Sequence, residues 1–155
     1  MSVANDDLQR NDGCLPFAGP DINAYSSDTY HMASLIGTYD LFWFSGDTTW
    51  LSSIWSKYKL ALQFIIAKID STDLIYVTLN DDWGRMSQGG YNTEANMLLY
   101  HVLNTGSKLA SSMTEPALRD KLAGLASRMQ LAINAKLYDA PAGYALLPVP
   151  KFYNH

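Results

Sequence analysis

Four segments of the sequence carry apolar residues on one face of an α-helix, recurring every three or four positions. They run from Ser27 to Ser45, from Asp47 to about Ile69, from Asn92 or Thr93 to Met113, and onward from Thr114. We predict a helix for each. The stripes consist of Met32, Leu35, Ile36, Tyr39, Phe42 and Trp43; Leu51, Ile54, Trp55, Tyr58, Leu62, Ile65 and Ile69; Ala95, Leu98, Leu99, Val102, Leu109 and Met113; and Leu118, Leu122, Leu125, Met129, Ile133 and Leu137.

Residues at the ends of these segments match the preferences of helix termini. Ser27 or Ser26 can cap the first helix, Gly46 can end it, and Asp47 can cap the second. Thr114 before Glu-Pro predicts the start of the fourth helix, because proline is well tolerated in a first turn. The short connections predict two antiparallel helical hairpins.

The connection between the hairpins has a different pattern. The stretch from Ser71 to Asn80 contains a short β-branched and aromatic run, which predicts a strand pair near Ile75 to Leu79. Gly- and Pro-rich stretches predict irregular structure from Asn11 to Ser26 and after Tyr138. The predicted fold class is therefore all-α, with helical hairpins and a short strand pair. A helical-repeat interaction module is the rival, and it would require a convincing repeat of about 34 to 47 residues.

Composition narrows the classes of partner. The chain has 155 residues, 48% hydrophobic content and a net charge of -4, which indicates one domain with a packed core. Its eleven Lys and Arg residues are scattered, so we expect no nucleic-acid partner. We also expect no membrane partner and no signal peptide, since no apolar run reaches the length of a span and the first residues lack a basic start. The cellular compartment stays undetermined.

Several familiar chemistries have no motif in the sequence. A phosphate-binding glycine loop, Gly-x-Ser-x-Gly and His-Glu-x-x-His are all missing, and Cys14 is the only cysteine. His31, His101 and His155 stand apart from one another, and His101 is better interpreted as a packed or surface residue than as a ligand. We therefore expect no metal and no cofactor.

The stretch from Asn80 to Asn96 concentrates polar chemistry. It holds two acids, Asp81 and Asp82, beside Trp83 and Arg85, and it has no apolar period. An indole face can stack on a sugar ring, and carboxylates and amides can bind its hydroxyl groups. The alternative is a solvated connection whose tryptophan packs on the core.

A second group of chemically active residues stands at the start of the first helix. Asp28, Tyr30 and His31 bring together an acid, a phenol and an imidazole. This group is consistent with a binding site. It is equally consistent with a structural role, in which the carboxylate of Asp28 stabilises the N-terminus of the helix.

The order of these motifs resembles a known family. The chain is similar to the six-hairpin glycosidases of the alpha-L-rhamnosidase type, in particular the fungal branch, over roughly Asp12 to Ala140. The motifs that carry the resemblance are Asp12-Gly-Cys-Leu-Pro-Phe-Ala-Gly-Pro, Ser27-Asp-Thr-Tyr-His, Gly37-Thr-Tyr-Asp, Gly46-Asp, Ile54-Trp-Ser-Lys-Tyr-Lys, Asp82-Trp-Gly-Arg, Gln88-Gly-Gly-Tyr-Asn-Thr-Glu-Ala-Asn and Leu99-Tyr-His-Val-Leu-Asn-Thr-Gly.

The resemblance implies a toroid of six helical hairpins, inverting hydrolysis of terminal alpha-L-rhamnosides, and a sugar pocket built from hairpin loops. Tyr91 departs from the family pattern, since histidine is expected after the two glycines. The residues that the resemblance assigns to substrate binding are Asp28, Tyr30, His31, Asp82, Trp83, Arg85, Gln88, Asn92 and Glu94.

Catalysis is less well supported. Asp82 and Glu94 are the candidate carboxylates, because they are the pair in the motif core that could face each other at the separation of about 6.5 to 9.5 Å that inversion requires. The resemblance, however, implies a general acid before the matched part and a general base after it. We therefore expect one family fragment, with residues 1–11 as a leader, 12–140 family-like and 141–155 divergent, that binds carbohydrate without hydrolysing it. A non-catalytic carbohydrate-binding or helical interaction module is the alternative.

The chain also has a surplus of apolar residues. Leu41 to Phe44 are four consecutive apolar positions that cannot share one helix face, and the second helix carries Ile65 and Ile66 beside Trp50, Leu51 and Trp55. Exposed patches of this kind indicate a partner or aggregation, so we expect self-association. The rival is that the aromatic tail from Tyr144 to Tyr153 covers the surplus.

Overall fold

The computed structural model describes residues 8–17, 24–82, 88–139, 141 and 144–145. Within them the chain is all-α apart from one small hairpin of strands, which confirms the predicted fold class. The elements are α1 (Asp28–Ser45), α2 (Thr48–Ile66), α3 (Thr93–Ser112), α4 (Pro116–Lys136), β1 (Tyr138–Asp139) and β2 (Tyr144–Ala145).

Three of the predicted caps are confirmed. The side chains of Ser27, Asp47 and Asn92 accept backbone hydrogen bonds in the first turns of α1, α2 and α3. Gly46 ends α1 in the left-handed conformation, with φ of 65°, and its N–H donates to the carbonyl of Phe42. The residues that specify these ends lie within one turn of them.

Two helix boundaries differ by a few residues from the predicted ones. α4 begins at Pro116, with proline in its first turn as predicted and Glu115 as its N-cap residue, while Thr114 adopts a positive φ of 59° in the turn between α3 and α4. Glu115 points away to α2, where its carboxylate accepts from Trp55 Nε1 and Lys59 Nζ, both at 2.7 Å. The second helix ends at Ile66 rather than Ile69, because Ile69 leaves the helix to pair with Ile75.

The two hairpins share one hydrophobic core. α1 packs against α2 and α3, and α3 packs most extensively against α4. Gly106 of α3 lies between Tyr58 of α2 and Leu122 of α4, where an added Cβ would approach both side chains to 3.3 Å. The largest fully buried side chains are Met32, Leu35, Leu51, Tyr58, Leu62, Ile65, Ile75, Leu99, Leu103, Leu109, Leu122 and Met129.

The strand pair predicted near Ile75 to Leu79 is misplaced. That segment is extended but forms only isolated antiparallel bridges, which join Ile69 to Ile75, Val77 to Gly90, and Ser27 to Asn80. The paired strands among the described residues are instead β1 and β2, in which Tyr138 lies opposite Ala145. Each of these three bridges joins a different pair of positions, so no continuous ladder forms along the 69–80 segment.

One end of the molecule, which we call the polar end, consists of residues 69–82 and 88–94. The starts of α1 and α3 reach it, since Asp28 donates its N–H to Leu79 and Asn96 bonds to Ile75. The end of α4 reaches it as well, because Lys136 Nζ donates to the carbonyl of Thr72 at 2.9 Å. The motifs with candidate chemistry therefore gather at the same end of the helices.

Only some of the surplus apolar residues noted in the sequence are buried. Trp43 is 68% exposed and Phe44 is 86% exposed at the end of α1, as expected from four consecutive apolar positions. The surplus expected on α2 is mostly covered: Leu51, Trp55 and Ile65 are buried, and Trp50 and Ile66 are partly buried. Residues 146–155 of the tail proposed to cover this surplus lie outside the described residues. No helix in the described part is long and apolar enough to cross a membrane.

Candidate functional site

Asp28 is the most constrained of the predicted site residues. Its carboxylate is completely buried, with Oδ1 2.5 Å from Lys68 Nζ and Oδ2 accepting the backbone N–H groups of Thr78 and Leu79 at 3.0 and 3.2 Å. Asp28 also donates its own N–H to the carbonyl of Leu79. The side chain therefore holds the extended segment against the start of α1, beneath the surface of the polar end.

Lys68 completes this arrangement from the end of α2. Its side chain is 15% exposed, and besides Asp28 its ammonium group donates to Thr78 Oγ1 at 2.8 Å. The same group lies 4.7 Å from the centre of the Phe64 ring, a favourable position for a cation. One buried ion pair thus joins both helices of the first hairpin to the segment that leads to Asp82.

His31 links the N-terminal loop to the helices. Its Nδ1 accepts the N–H of Leu15 at 3.1 Å, so Nε2 carries the proton and donates to the carbonyl of Ala61 at 2.9 Å. Gly13 allows the loop to approach, because with φ of 94° a Cβ there would lie only 2.4 Å from the carbonyl oxygen of Leu60. The imidazole is fully buried and uses both nitrogens within the chain.

Tyr30 is half-buried on the outer side of the same turn. Its ring contacts Phe17, with centroids 5.8 Å apart. Asp28 and His31 point inward from this turn, so of the three residues only Tyr30 keeps part of its side chain at the surface. The assignment of these three residues to sugar binding stays a prediction. In the structure, Asp28 and His31 bond to other parts of the chain and so support the fold of this region.

Three amide side chains form a continuous chain along the start of α3. Asn96 is fully buried, accepts the N–H of Ile75 at 2.8 Å, and donates to the carbonyls of Ile75 and Asn92. Asn92 caps α3 and donates to both the backbone carbonyl and Oε1 of Gln88. Asn96 thereby holds Ile75 against α3, and Asn92 and Gln88, both predicted to bind substrate, are bonded to each other at the start of the same helix.

The two candidate catalytic carboxylates lie at the polar end. Asp82 and Glu94 are each half-buried. Asp81 donates its N–H to the carbonyl of Ser26, which places Asp82 at the end where α1 begins. Trp83 and Arg85 lie outside the described residues.

Tyr91, the departure from the family pattern, has a defined partner. Its hydroxyl donates to the carboxylate of Asp70, and this bond raises the pKa of Tyr91. The ring packs edge-on against Tyr76. Position 91 therefore retains a polar contact with tyrosine in place of histidine.

The buried thiol of Cys14 is held in its neutral form. Burial raises the pKa of the Cys14 thiol to about 11, which makes it a poor nucleophile at neutral pH. Among the described residues, no three His, Cys, Asp or Glu side chains are arranged to hold a metal ion.

The sequence interpretation missed Lys68 and the part played by Asn96. Lys68 is a lone cation within Ile65-Ile66-Ala67-Lys68-Ile69, and a charge in such an apolar run indicates a buried partner. Asn96 follows Asn92 by four positions and precedes Leu99 by three, which places an amide on the apolar face of α3. Both signals were available, but neither identifies the partner.

We expect the stability of the protein to depend on the protonation of His31. Burial lowers the pKa of His31 from 6.5 to about 4, with an opposing contribution from the bond to Ala61. Between these values the unfolded chain binds more protons, so the free energy of unfolding falls as the pH drops from about 6.5 towards 4. The full effect is about 3 kcal/mol, measurable by urea unfolding at a series of pH values.

The control is His101→Gln, which alters an exposed histidine of α3 and should leave this pH dependence unchanged. An NMR titration of the His31 ring provides a readout that needs no variant. A His31 midpoint near 6.5 in the folded protein would contradict the proposed tautomer and its burial.

A comparison with known families finds a match over most of the chain. The family model for the bacterial alpha-L-rhamnosidase six-hairpin glycosidase domain matches residues 3–147, which include both helical hairpins and the polar end. A comparison with curated proteins finds no significant match. A family match over this extent agrees with the helical hairpins seen in the structure and places the chain among glycoside hydrolases. The chain belongs to the six-hairpin glycosidase family of the bacterial alpha-L-rhamnosidase type.

Proposed function

We propose that this chain supplies part of the sugar-binding surface of a glycoside hydrolase that removes terminal alpha-L-rhamnosyl groups. The observation that carries the proposal is the family match over residues 3–147. The gathering of the polar motifs at one end of the two hairpins supports it, because a sugar pocket requires hydroxyl-binding side chains from several chain segments.

The proposed binding surface lies on the outer side of the polar end. Asp82 and Glu94 provide carboxylates for sugar hydroxyls, and the stretch between Asp82 and Gln88 contains Trp83 and Arg85. We assign Asp28 and His31 a supporting role, because their polar atoms are already bonded to Lys68, Leu15 and Ala61. Their contribution is to fix the backbone on which the binding residues stand.

The proposed reaction of the family is hydrolysis with inversion, in which an acid protonates the leaving oxygen and a base activates water. We propose that this chain by itself binds the rhamnosyl group without turnover. The resemblance assigns the acid and the base to other segments, so Asp82 and Glu94 serve here as ligands for hydroxyl groups.

Calorimetric titration with L-rhamnose tests the proposed surface. We expect saturable binding to the wild type, and a loss of at least about tenfold in affinity for Asp82→Asn, because a carboxylate forms stronger hydrogen bonds to hydroxyls than an amide does. Trp83→Ala should weaken binding by a similar factor by removing the stacking face. Asp40→Asn, which alters an exposed carboxylate of α1, is the matched control and should bind normally.

An assay with an aryl alpha-L-rhamnoside accompanies the titration. The proposal expects no turnover above background from the isolated chain. Turnover that Asp82→Asn or Glu94→Gln abolishes would show instead that the pair is catalytic, and failure of L-rhamnose to bind would remove the proposed function.

We also propose that the chain associates with itself through the end of α1. Trp43 and Phe44 are large apolar side chains in water, and covering them recovers about 25 cal/mol for each Å² of apolar surface. Light scattering should show a mass that rises with protein concentration, and Trp43→Gln with Phe44→Gln should reduce that rise. Leu131→Gln, which alters an exposed apolar residue of α4, is the control. A constant monomer mass would contradict this proposal.

A further inference from the structure

Two tyrosines at the polar end form an exposed pair. The rings of Tyr76 and Tyr91 meet edge to face, with centroids 5.2 Å apart and planes at 90°. Tyr76 is 51% exposed and Tyr91 is 38% exposed. A flat apolar ligand that covers exposed aromatic rings removes apolar surface from water, which is favourable, so a fixed pair of this kind is suited to stacking.

The pair is fixed by a carboxylate that is itself held. Tyr91 donates its hydroxyl to Asp70 Oδ2, while Asp70 Oδ1 accepts from the N–H and the hydroxyl of Thr72 at 2.8 and 2.6 Å. These bonds, with Thr72 contributing most, lower the pKa of Asp70, so the carboxylate stays charged at neutral pH. Tyr91 therefore has both its ring and its hydroxyl positioned before any ligand arrives.

The location of the pair connects it to the proposed binding surface. Val77 and Gly90 pair through reciprocal backbone hydrogen bonds of 2.9 and 3.1 Å, which places the next residues, Tyr76 and Tyr91, side by side. Gly90 adopts a φ of 77°, a conformation that side chains disfavour, at the turn into Tyr91. The same extended segment continues from Tyr76 through Asn80 to Asp82.

We propose that Tyr76, Tyr91 and Asp70 form a second saccharide platform, which binds the pyranose ring to which a terminal rhamnosyl group is attached. This inference rests on the proposed function and adds a preference for rhamnosyl disaccharides over free rhamnose. A pyranose ring presents apolar C–H faces and polar edges, which match a tyrosine ring bordered by a phenol and a carboxylate.

The chemistry of the surface favours a saccharide over a protein partner. At the end of α1, Trp43 and Phe44 stand at the surface without a comparable fixed polar pair among their described contacts. At the tyrosine platform, the Tyr91 hydroxyl and the Asp70 carboxylate lie at the edge of the exposed rings and can receive sugar hydroxyls. Combined ring faces and fixed hydrogen-bonding groups are the usual composition of a sugar site.

The test compares two ligands by calorimetry: L-rhamnose and a rhamnosyl-glucose disaccharide. We expect the wild type to bind the disaccharide about tenfold more tightly than L-rhamnose, a gain of about 1.4 kcal/mol. Tyr76→Ala should remove this gain and leave the affinity for L-rhamnose unchanged. Tyr91→Phe, which keeps the ring and removes the bond to Asp70, should lose only part of it.

Tyr138→Ala is the matched control, because it removes an exposed tyrosine from β1 outside the platform. Thermal unfolding of each variant verifies that the fold is retained. Binding of both ligands with equal affinity would overturn the platform and leave the proposed function intact. Weakening of both ligands by Tyr76→Ala would also overturn it, since the tyrosine would then belong to the first pocket. Binding of neither ligand would remove the proposed function and the platform together.

Discussion

The buried ion pair between Asp28 and Lys68 is the interaction on which the polar end depends. A carboxylate without contact with solvent is strongly destabilising unless its oxygens are fully bonded, and Asp28 meets this condition with one ammonium group and two backbone N–H groups. Its partners come from the end of α2 and from the extended segment, while Asp28 itself begins α1. The pair therefore converts the junction of three elements into one structure, and the residues from Asn80 onward emerge from it.

The helices could be predicted because the residues that specify each helix lie close together in the sequence. Apolar residues at helical spacing and caps such as Ser27, Asp47 and Asn92 act within one turn, so the sequence alone locates these helices and their starts. The segment from Ile69 to Asn80 could not be assigned in this way. Its β-branched residues indicate an extended backbone, but whether a ladder forms depends on partners, and Ile69, Gly90 and Ser27 each provide only one bridge. Thr114 lies outside α4, because in the tight turn between α3 and α4 it adopts the left-handed conformation.

The candidate site illustrates a further limit of sequence interpretation. Acids, amides and imidazoles are typical of binding sites, but they are also the groups that hold buried loops together. The side chains of Asp28 and His31 bond to residues far along the chain, Lys68 and Ala61, while Asn92 bonds to Gln88 and Ala95 within its own loop and first helical turn. Residue type indicates that a side chain has a polar partner; only the fold decides whether that partner is the protein or a ligand. Tyr76 and Tyr91 likewise become a candidate site only in the fold, because the Val77–Gly90 bridge brings their rings together.

A double-mutant cycle on Asp28 and Lys68 tests the central claim most directly. The free energy of unfolding is measured for the wild type, Asp28→Asn, Lys68→Met and the double variant. Each single substitution leaves an unpaired buried group, so each should cost about 3 to 5 kcal/mol. The double variant should be more stable than the sum of the two losses predicts, with a coupling energy of at least about 1 kcal/mol. Additive losses would contradict the account, because they would show that the two residues stabilise the polar end independently.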